Sequence, residues 1–168
     1  MLQHALSRAI NPGVADLLKQ RIKQEADFES PFEEAFLSLL VAADAVRARL
    51  ERVCAEHGIT HGQYNVLRIL RGAHPGGHPR CEIAARLIER APDVTRLVDR
   101  LEANGLVERS RSEEDRRVSL TRITRRGLEL LDAMDPALDA FRRDFGERVS
   151  RRDARDLSRI CEGIYADD

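Results

Sequence analysis

The 168-residue chain contains no tryptophan and few aromatic side chains, 4% in all. Its core must therefore consist mainly of Leu, Ile, Val and Ala, a mixture typical of packed amphipathic helices. Three cysteines cannot form a closed set of disulfides, and the N-terminal segment lacks the basic flank and apolar stretch of a secretion signal. The longest largely apolar stretch, residues 35–43, is far shorter than the roughly 20 residues that span a bilayer. We expect a soluble, cytoplasmic protein that does not contact a membrane.

Lysine is also scarce, because Lys19 and Lys23 are the only two and every later basic residue is arginine. The chain has a net charge of −1, but residues 61–126 carry 14 basic and 9 acidic side chains. The planar guanidinium group of arginine suits phosphate and guanine. A basic middle between acidic ends therefore favours a nucleic-acid partner, although the excess is modest.

Three helices are predicted in the first half of the chain. Each start is marked by an N-cap residue followed by proline or by a capping-box partner: Asn11-Pro12, Ser30-Pro31 with Glu33, and Thr60 with Gln63. The long second helix should end at Gly58 and the third at Gly72. Residues 73–79 contain two prolines and two glycines, so they predict a loop or a very short strand.

Shorter elements follow in the second half. Residues 81–88 predict a helix of two to three turns, which is interrupted at 91–93 before Pro92 starts another. This next helix carries an apolar stripe and ends at Asn104-Gly105; the stripe consists of Val94, Leu97, Val98 and Leu101. Two strands, 106–110 and 118–123, should form a hairpin around an arginine-rich tip.

The C-terminal part is predicted to be helical. Thr124 starts a helix that Asp135-Pro136 should break or kink, and Ser150 with Asp153 should cap a last helix. The apolar faces of this part are larger than one small unit can cover: Leu138, Phe141, Phe145, Leu157, Ile160 and Ile164. The sequence therefore predicts a homodimer. All three cysteines lie at apolar helical positions, so we expect them to be buried and to pack as small hydrophobic side chains.

A helix, a tight turn, a second helix with a polar outer face and a basic hairpin follow one another in the order of a winged helix-turn-helix. The second helix of such a unit can lie in the major groove of DNA, and the hairpin tip can reach the adjacent backbone or minor groove. The expected fold is mostly α with a small β-hairpin wing, flanked by N- and C-terminal dimerisation helices.

Residues 93–127, DVTRLVDRLEANGLVERSRSEEDRRVSLTRITRRG, resemble the MarR family of bacterial transcriptional regulators. The resemblance rests on the segment T-R-L-x-D-R-L-E-x-x-G-L, the wing motif D-x-R and the following L/I-T-x-x-G, and extends less strongly over residues 50–70. It implies a homodimer on a pseudo-palindromic double-stranded DNA operator. The implied regions are 1–59 and 128–168 for dimerisation and 60–127 for DNA binding.

The resemblance and the exposed positions together give eight candidate DNA-binding residues: Asp93, Thr95, Arg96, Arg100, Arg111, Asp115, Arg116 and Arg117. The family pattern implies that Arg117 enters the minor groove, that Asp115 orients it, and that Arg116 lies nearer phosphate. An ordinary solvated hairpin tip is the alternative, and Arg96 and Arg100 are also open to simple surface ion pairing. Asp93 can cap its helix or accept a hydrogen bond from cytosine N4.

The chain departs from the family pattern just before the T-R-L segment, where it has Arg90, Ala91, Pro92 and Asp93, and also at Pro79. Base preference at these positions therefore cannot be transferred from the family.

An effector site is implied by the resemblance, since family members often respond to small aromatic or phenolic anions. We expect a repressor that such a ligand releases, with a pocket near Leu40, Leu50, Val53, Tyr64 and Leu67. A thiol-based redox sensor using Cys54, Cys81 or Cys161 is one alternative, and a winged helix that binds only proteins is another. The sequence contains no convincing metal set, cofactor motif or catalytic motif, so we expect neither metal, cofactor nor enzyme activity.

Overall fold

Seven helices and three short strands make up the residues that the computed structural model describes, 14–88, 93–111 and 117–166, with only the backbone described for 14–16. The helices are α1 Val14–Ile22, α2 Pro31–Glu56, α3 His61–Gly72, α4 Arg80–Arg86, α5 Val94–Ala103, α6 Arg125–Arg148 and α7 Arg151–Tyr165. The strands are β1 His78–Pro79, β2 Val107–Arg111 and β3 Ser119–Ile123. This composition confirms the mostly helical fold with a small wing.

The predicted helix starts are confirmed where the structure describes them. The capping box of α3 is complete: the Gln63 N–H donates to Thr60 Oγ1 at 3.2 Å, and the Thr60 N–H donates to Gln63 Oε1 at 2.9 Å. Ser30 caps α2 by accepting from the Glu33 N–H at 3.2 Å. The Glu33 carboxylate, however, accepts from the N–H of Glu29 at 2.7 Å, so α2 lacks the reciprocal bond of a capping box. The predicted Asn11-Pro12 start lies outside the described residues.

Two helices end in the same kind of turn. After α2, Ile59 N donates to Cys54 O at 3.1 Å and Gly58, with φ 74°, donates to Ala55 O at 3.0 Å. After α5, Leu106 N donates to Leu101 O at 2.9 Å, and Gly105, with φ 68°, donates to Glu102 O at 2.8 Å. Both are Schellman turns, in which a glycine adopts the left-handed conformation without steric cost.

The three strands form one antiparallel sheet in the order β1-β3-β2. The hairpin pairs Val107 with Ile123 and Arg111 with Ser119, which confirms the predicted wing. On the other side of β3, His78 pairs with Thr121 and Pro79 with Leu120. Residues 73–79 therefore end in a very short strand, one of the two predicted alternatives.

Pro136 does not break helix α6, so of the two effects predicted for it, a break or a kink, the break was wrong. Helix α6 is 24 residues long and continues past Pro136, because Met134 and Leu138 on either side of the proline are buried in the core. Their packing offsets the hydrogen bond that proline cannot make. Leu138 is accordingly a core residue and does not belong to the exposed apolar face. Helix α4 is shorter than predicted, since Leu87 is already extended and Ile88 is exposed.

The chain divides into two compact units, Met1–Arg49 and Leu50–Asp168, and α2 contributes to both. The second unit contains the main hydrophobic core, in which Leu67, Leu70, Ile83, Leu101, Leu131 and Met134 are among the fully buried side chains. In the first unit, Lys19 pairs with Asp27 at 2.5 Å and lies over the Phe28 ring. None of the described helices is long and apolar enough to cross a membrane.

Candidate nucleic-acid interface

Helix α5 presents a polar face to solvent because its apolar stripe is anchored in the core. Val94, Val98 and Leu101 are buried and Leu97 is half-buried, as the spacing predicted. The predicted contact residues Thr95, Arg96 and Arg100 are exposed on the same helix. In the described part of the chain, the Arg100 guanidinium has no hydrogen-bond or ion-pair partner. A rigid helix with exposed cations on its outer face, of which Arg100 is unpaired among the described residues, is suited to a DNA groove.

Asp93 is the N-cap of α5. Its Oδ1 accepts from the Arg96 N–H at 3.0 Å, and its Oδ2 lies 3.0 Å from Arg96 Nε. Of the two interpretations that the sequence left open for Asp93, the structure displays the capping geometry. The same carboxylate holds the Arg96 side chain beside the first turn of the helix.

Arg80 also lies beside the candidate interface, and the sequence did not single it out for DNA contact. Its Nη1 donates to Thr95 Oγ1 at 3.0 Å, so the first residue of α4 is bonded to the second residue of α5. Its guanidinium is exposed beside the start of α5. The available signal was an arginine directly after Pro79, at the start of the helix that precedes the candidate recognition helix.

Arg109, also missed, joins the wing to α5. Its guanidinium pairs with the Asp99 carboxylate and lies 3.1 Å from Glu102. Arg109 is thus neutralised by two residues of α5 and fixes the wing against that helix. Its charge is less available to DNA than that of Arg100.

The hairpin carries two of the predicted wing arginines at the described edges of its tip. Arg111 ends β2 and Arg117 lies just before β3, and both are exposed. Asp115 and Arg116 lie outside the described residues. The D-x-R arrangement of the tip therefore stays a prediction, while the strands that would present it are in place.

The base of the wing is locked to α6 by the T-x-x-G motif. Thr124 Oγ1 donates to Gly105 O at 2.8 Å and accepts from the Gly127 N–H at 3.1 Å, while the Thr124 N–H donates to Leu106 O at 3.1 Å. A Cβ at Gly127 would lie 2.3 Å from Leu106 O and 2.7 Å from Ile123 Cγ1. Only glycine allows α6 to approach the wing this closely.

A groove of about 780 Å³ lies between α4, the start of α5 and the wing. Its lining includes Arg80, Cys81, Asp93, Thr95 and Arg109. The structure therefore brings Asp93 and Thr95 together with two arginines that the sequence analysis did not select.

The residues of the predicted effector pocket lie in different surroundings. Tyr64 and Leu67 are buried in the core of the second unit, and Leu50 and Val53 pack against that core. Leu40 belongs to the first unit and is 52% exposed. The pocket stays a prediction.

The cysteines differ from one another. Cys54 is buried, and desolvation, aided by the Glu51 carboxylate, raises the pKa of its thiol to about 11, which keeps it protonated and is the opposite of a reactive environment. Cys81 is exposed and Cys161 half-buried, so the expected burial was wrong for Cys81. The two-turn helix α4 buries Ile83 and leaves Cys81, on the same helix, exposed to solvent. No cluster of three or more metal-ligating side chains occurs within the described ranges.

Comparison with known proteins agrees with this architecture. Residues 59–119 match the model of the MarR family. The regulator MhqR of Bacillus subtilis, named an HTH-type transcriptional regulator, is 30% identical over 101 residues, which cover 60% of this chain and 68% of MhqR. The chain belongs to the MarR family.

Solved structures share the fold. A MarR transcription factor from Planctomyces limnophilus is 35% identical, with a TM-score of 0.62 over 81% of this chain and 98% of that one. CouR from Rhodococcus jostii RHA1, bound to p-coumaroyl-CoA, is 23% identical, with a TM-score of 0.69 over 82% of this chain and 95% of CouR. The present MarR-family protein is thus a DNA-binding transcriptional regulator and not an enzyme.

Proposed function

We propose that this regulator is a homodimeric repressor that recognises a pseudo-palindromic operator and leaves it when a small molecule binds. The observation that carries the proposal is α5: its apolar face is fixed in the core, and its outer face carries Thr95, Arg96 and Arg100 beside a wing edged by Arg111 and Arg117. Arg96 is proposed to contact base edges in the major groove, since a guanidinium can donate two hydrogen bonds to guanine.

The other cations divide between two roles. Arg80 and Arg100 are proposed to neutralise phosphates beside α5, which would fix the position of the helix without reading sequence. Arg117 is proposed to enter the minor groove, with Asp115 orienting it and Arg116 near phosphate. Asp93 supports the site by capping α5 and holding Arg96.

A second copy of the chain is the proposed partner of the apolar faces. None of the side chains of α7 is buried in a single chain, and Leu157, Ile160 and Ile164, at helical spacing, are 42%, 51% and 61% exposed. In the first unit, Phe32 and Phe36 are likewise exposed one turn apart on α2. Apolar area of this extent in a folded chain marks an interface.

Two α5 helices in such a dimer would face half-sites about one helical turn of DNA apart, so the operator should be a pseudo-palindrome. A ligand weakens this complex only if it binds better to a dimer with a different spacing of the helices. Ligand binding within this fold has a precedent in CouR with its p-coumaroyl-CoA. A small aromatic or phenolic anion and the pocket near Leu40, Leu50, Val53, Tyr64 and Leu67 remain our proposal for this chain, as does its cytoplasmic location.

A gel-shift titration of the chain on the DNA upstream of its own gene, run with sedimentation of the free protein, tests the proposal. We expect a dimer and a discrete complex that salt weakens. A stable monomer would contradict the dimer, and absence of any complex would favour a winged helix that binds proteins. Release by peroxide, abolished in Cys54→Ser, would replace ligand sensing by thiol sensing.

A further inference from the structure

A crevice of about 490 Å³ opens at the base of the wing. It shares no lining residue with the groove beside α5 or with the pocket predicted from the sequence. Its size falls within the range of about 300–1,000 Å³ that is usual for small-molecule sites.

The apolar wall of the crevice is formed by the two Schellman turns. Ile59 follows Gly58 after α2, and Leu106 follows Gly105 after α5; both side chains are almost completely buried. Leu130 of α6 adds a half-buried third apolar side chain. Because each turn is closed by its own backbone hydrogen bonds, this wall is rigid and preformed.

Arg126 places an unpaired cation in the crevice. Its Nη1 lies 3.8 Å from the position that a Cβ of Gly105 would occupy, so the guanidinium lies over the turn that ends α5. Within the described residues it has neither a hydrogen bond nor an ion pair, although most arginines of α6 pair with carboxylates on the same helix. Such a guanidinium is free to bind a carboxylate through two parallel hydrogen bonds.

Two further polar groups face the same space. The Nδ1 of His57 lies 2.9 Å from Val53 O, and because a carbonyl only accepts, Nδ1 carries the proton and Nε2 is a hydrogen-bond acceptor, which adds no bond to a carboxylate. The side-chain amide of Asn104, the C-cap residue of α5, has no partner among the residues described and can donate to an anion.

The negative groups near the crevice do not cancel this cation. The carboxylate of Glu129 accepts from Arg125 Nε at 2.8 Å and is already paired. The C-terminal ends of α2 and α5 oppose an anion, but a helix end carries only about half a charge, and these carbonyls are bonded within their turns. The N-terminal end of α6 favours an anion.

We propose that this crevice binds small organic carboxylates, with the carboxylate on Arg126 and a compact apolar body against Ile59, Leu106 and Leu130. A neutral molecule of the same shape would gain the apolar contacts but would leave the guanidinium unpaired. The site is therefore selective for anions.

The location of the crevice gives such a ligand access to the DNA-reading helix. Asn104, Gly105 and Leu106 link the end of α5 to the start of β2, so a ligand against this turn bears on the orientation of α5 relative to the wing. This regulatory consequence rests on the proposed function, whereas binding itself does not.

Backbone amide shifts of the full chain without DNA, measured by NMR during titration with cyclohexanecarboxylate, test the site. We expect saturable shifts at Gly58, Gly105 and Leu106. The wild type should bind cyclohexanecarboxamide at least about tenfold more weakly than the carboxylate, and the variant Arg126→Gln should bind the carboxylate at least about tenfold more weakly than the wild type does. Arg126→Lys should retain part of the binding, and Arg143→Gln, an exposed change farther along α6, should bind like the wild type.

Equal affinities for the carboxylate and the carboxamide, or wild-type affinity in Arg126→Gln, would overturn the proposal. So would saturable shifts centred on Tyr64 and Leu67, or the absence of saturable shifts. Because the titration contains no DNA, none of these results would bear on the proposed DNA binding, which the gel shift tests separately.

Discussion

The Arg80 guanidinium donates to the Thr95 hydroxyl across 3.0 Å and thereby joins the two helices of the helix-turn-helix at the point where α5 begins. The contact links residues 15 positions apart, and both are exposed. It holds a candidate DNA-contacting residue of α5 from a neighbouring helix while the arginine itself stays exposed to solvent.

Arg80→Gln should weaken binding to all DNA sequences by a similar factor and reduce the slope of log affinity against log salt by about 1. Fluorescence anisotropy on several duplexes measures both quantities. Arg86→Gln is the matched control on α4, because Arg86 pairs with Glu82 at 3.1 Å. If Arg80 also acts through Thr95, the double variant with Thr95→Val should lose less affinity than the two single losses together. An unchanged salt slope in Arg80→Gln would remove Arg80 from the interface.

Arg96→Ala should cost about 1 to 3 kcal/mol at one base pair of the operator and relax the preference there. Competition with single-base operator variants measures this loss. Asp93→Asn is a useful companion, since asparagine is also a strong N-cap and should preserve α5 while removing the ion pair. Equal losses for Arg96→Ala on operator and random DNA would make Arg96 a backbone contact.

Gly127→Ala should destabilise the fold by about 1 to 3 kcal/mol, since its Cβ would meet the backbone oxygen of Leu106 at 2.3 Å. Gly146→Ala, on the same helix, has open space around the added atom and should stabilise by up to about 1 kcal/mol. Urea unfolding of both variants gives the comparison. A Gly127→Ala protein as stable as the wild type would show that α6 and the wing can separate without cost.

Cysteine alkylation should distinguish the exposed thiol from the buried one. Burial raises the pKa of Cys54 to about 11, so at neutral pH it is protonated as well as inaccessible. Iodoacetamide at pH 7, followed by mass spectrometry, should label Cys81 in the native protein and Cys54 only after unfolding. Because the pKa is raised in the folded state, Cys54 stabilises the fold fully at neutral pH and loses this contribution as the pH rises toward 11. Rapid native labelling of Cys54 would revive the thiol-sensing hypothesis.

Local signals in the sequence predicted most of the fold. Thr60 and Gln63 form the expected capping box because the two hydrogen bonds depend on residues three positions apart. The predicted break at Pro136 was wrong because the packing of Met134 and Leu138, which carries α6 past it, depends on distant parts of the chain.

In the candidate interface, too, local sequence patterns predicted some features, while others depend on packing between distant elements. The exposed residues of α5 follow from its periodicity, and the positions of the wing residues follow from the family pattern. The bonds of Arg80 to Thr95 and of Arg109 to Asp99 join different elements, so they depend on how α4, α5 and the wing pack together. No local pattern contains that information.

Helix α5 and the wing are proposed to read DNA sequence. Fluorescence anisotropy over a salt series, using the duplex upstream of the gene and a shuffled duplex, tests this proposal most directly. We expect the wild type to bind the upstream duplex about a thousandfold or more tightly than the shuffled one, and Arg117→Gln to lower the salt slope by about 1 on both. Equal affinity of the wild type for the two duplexes at every salt concentration would contradict the proposal.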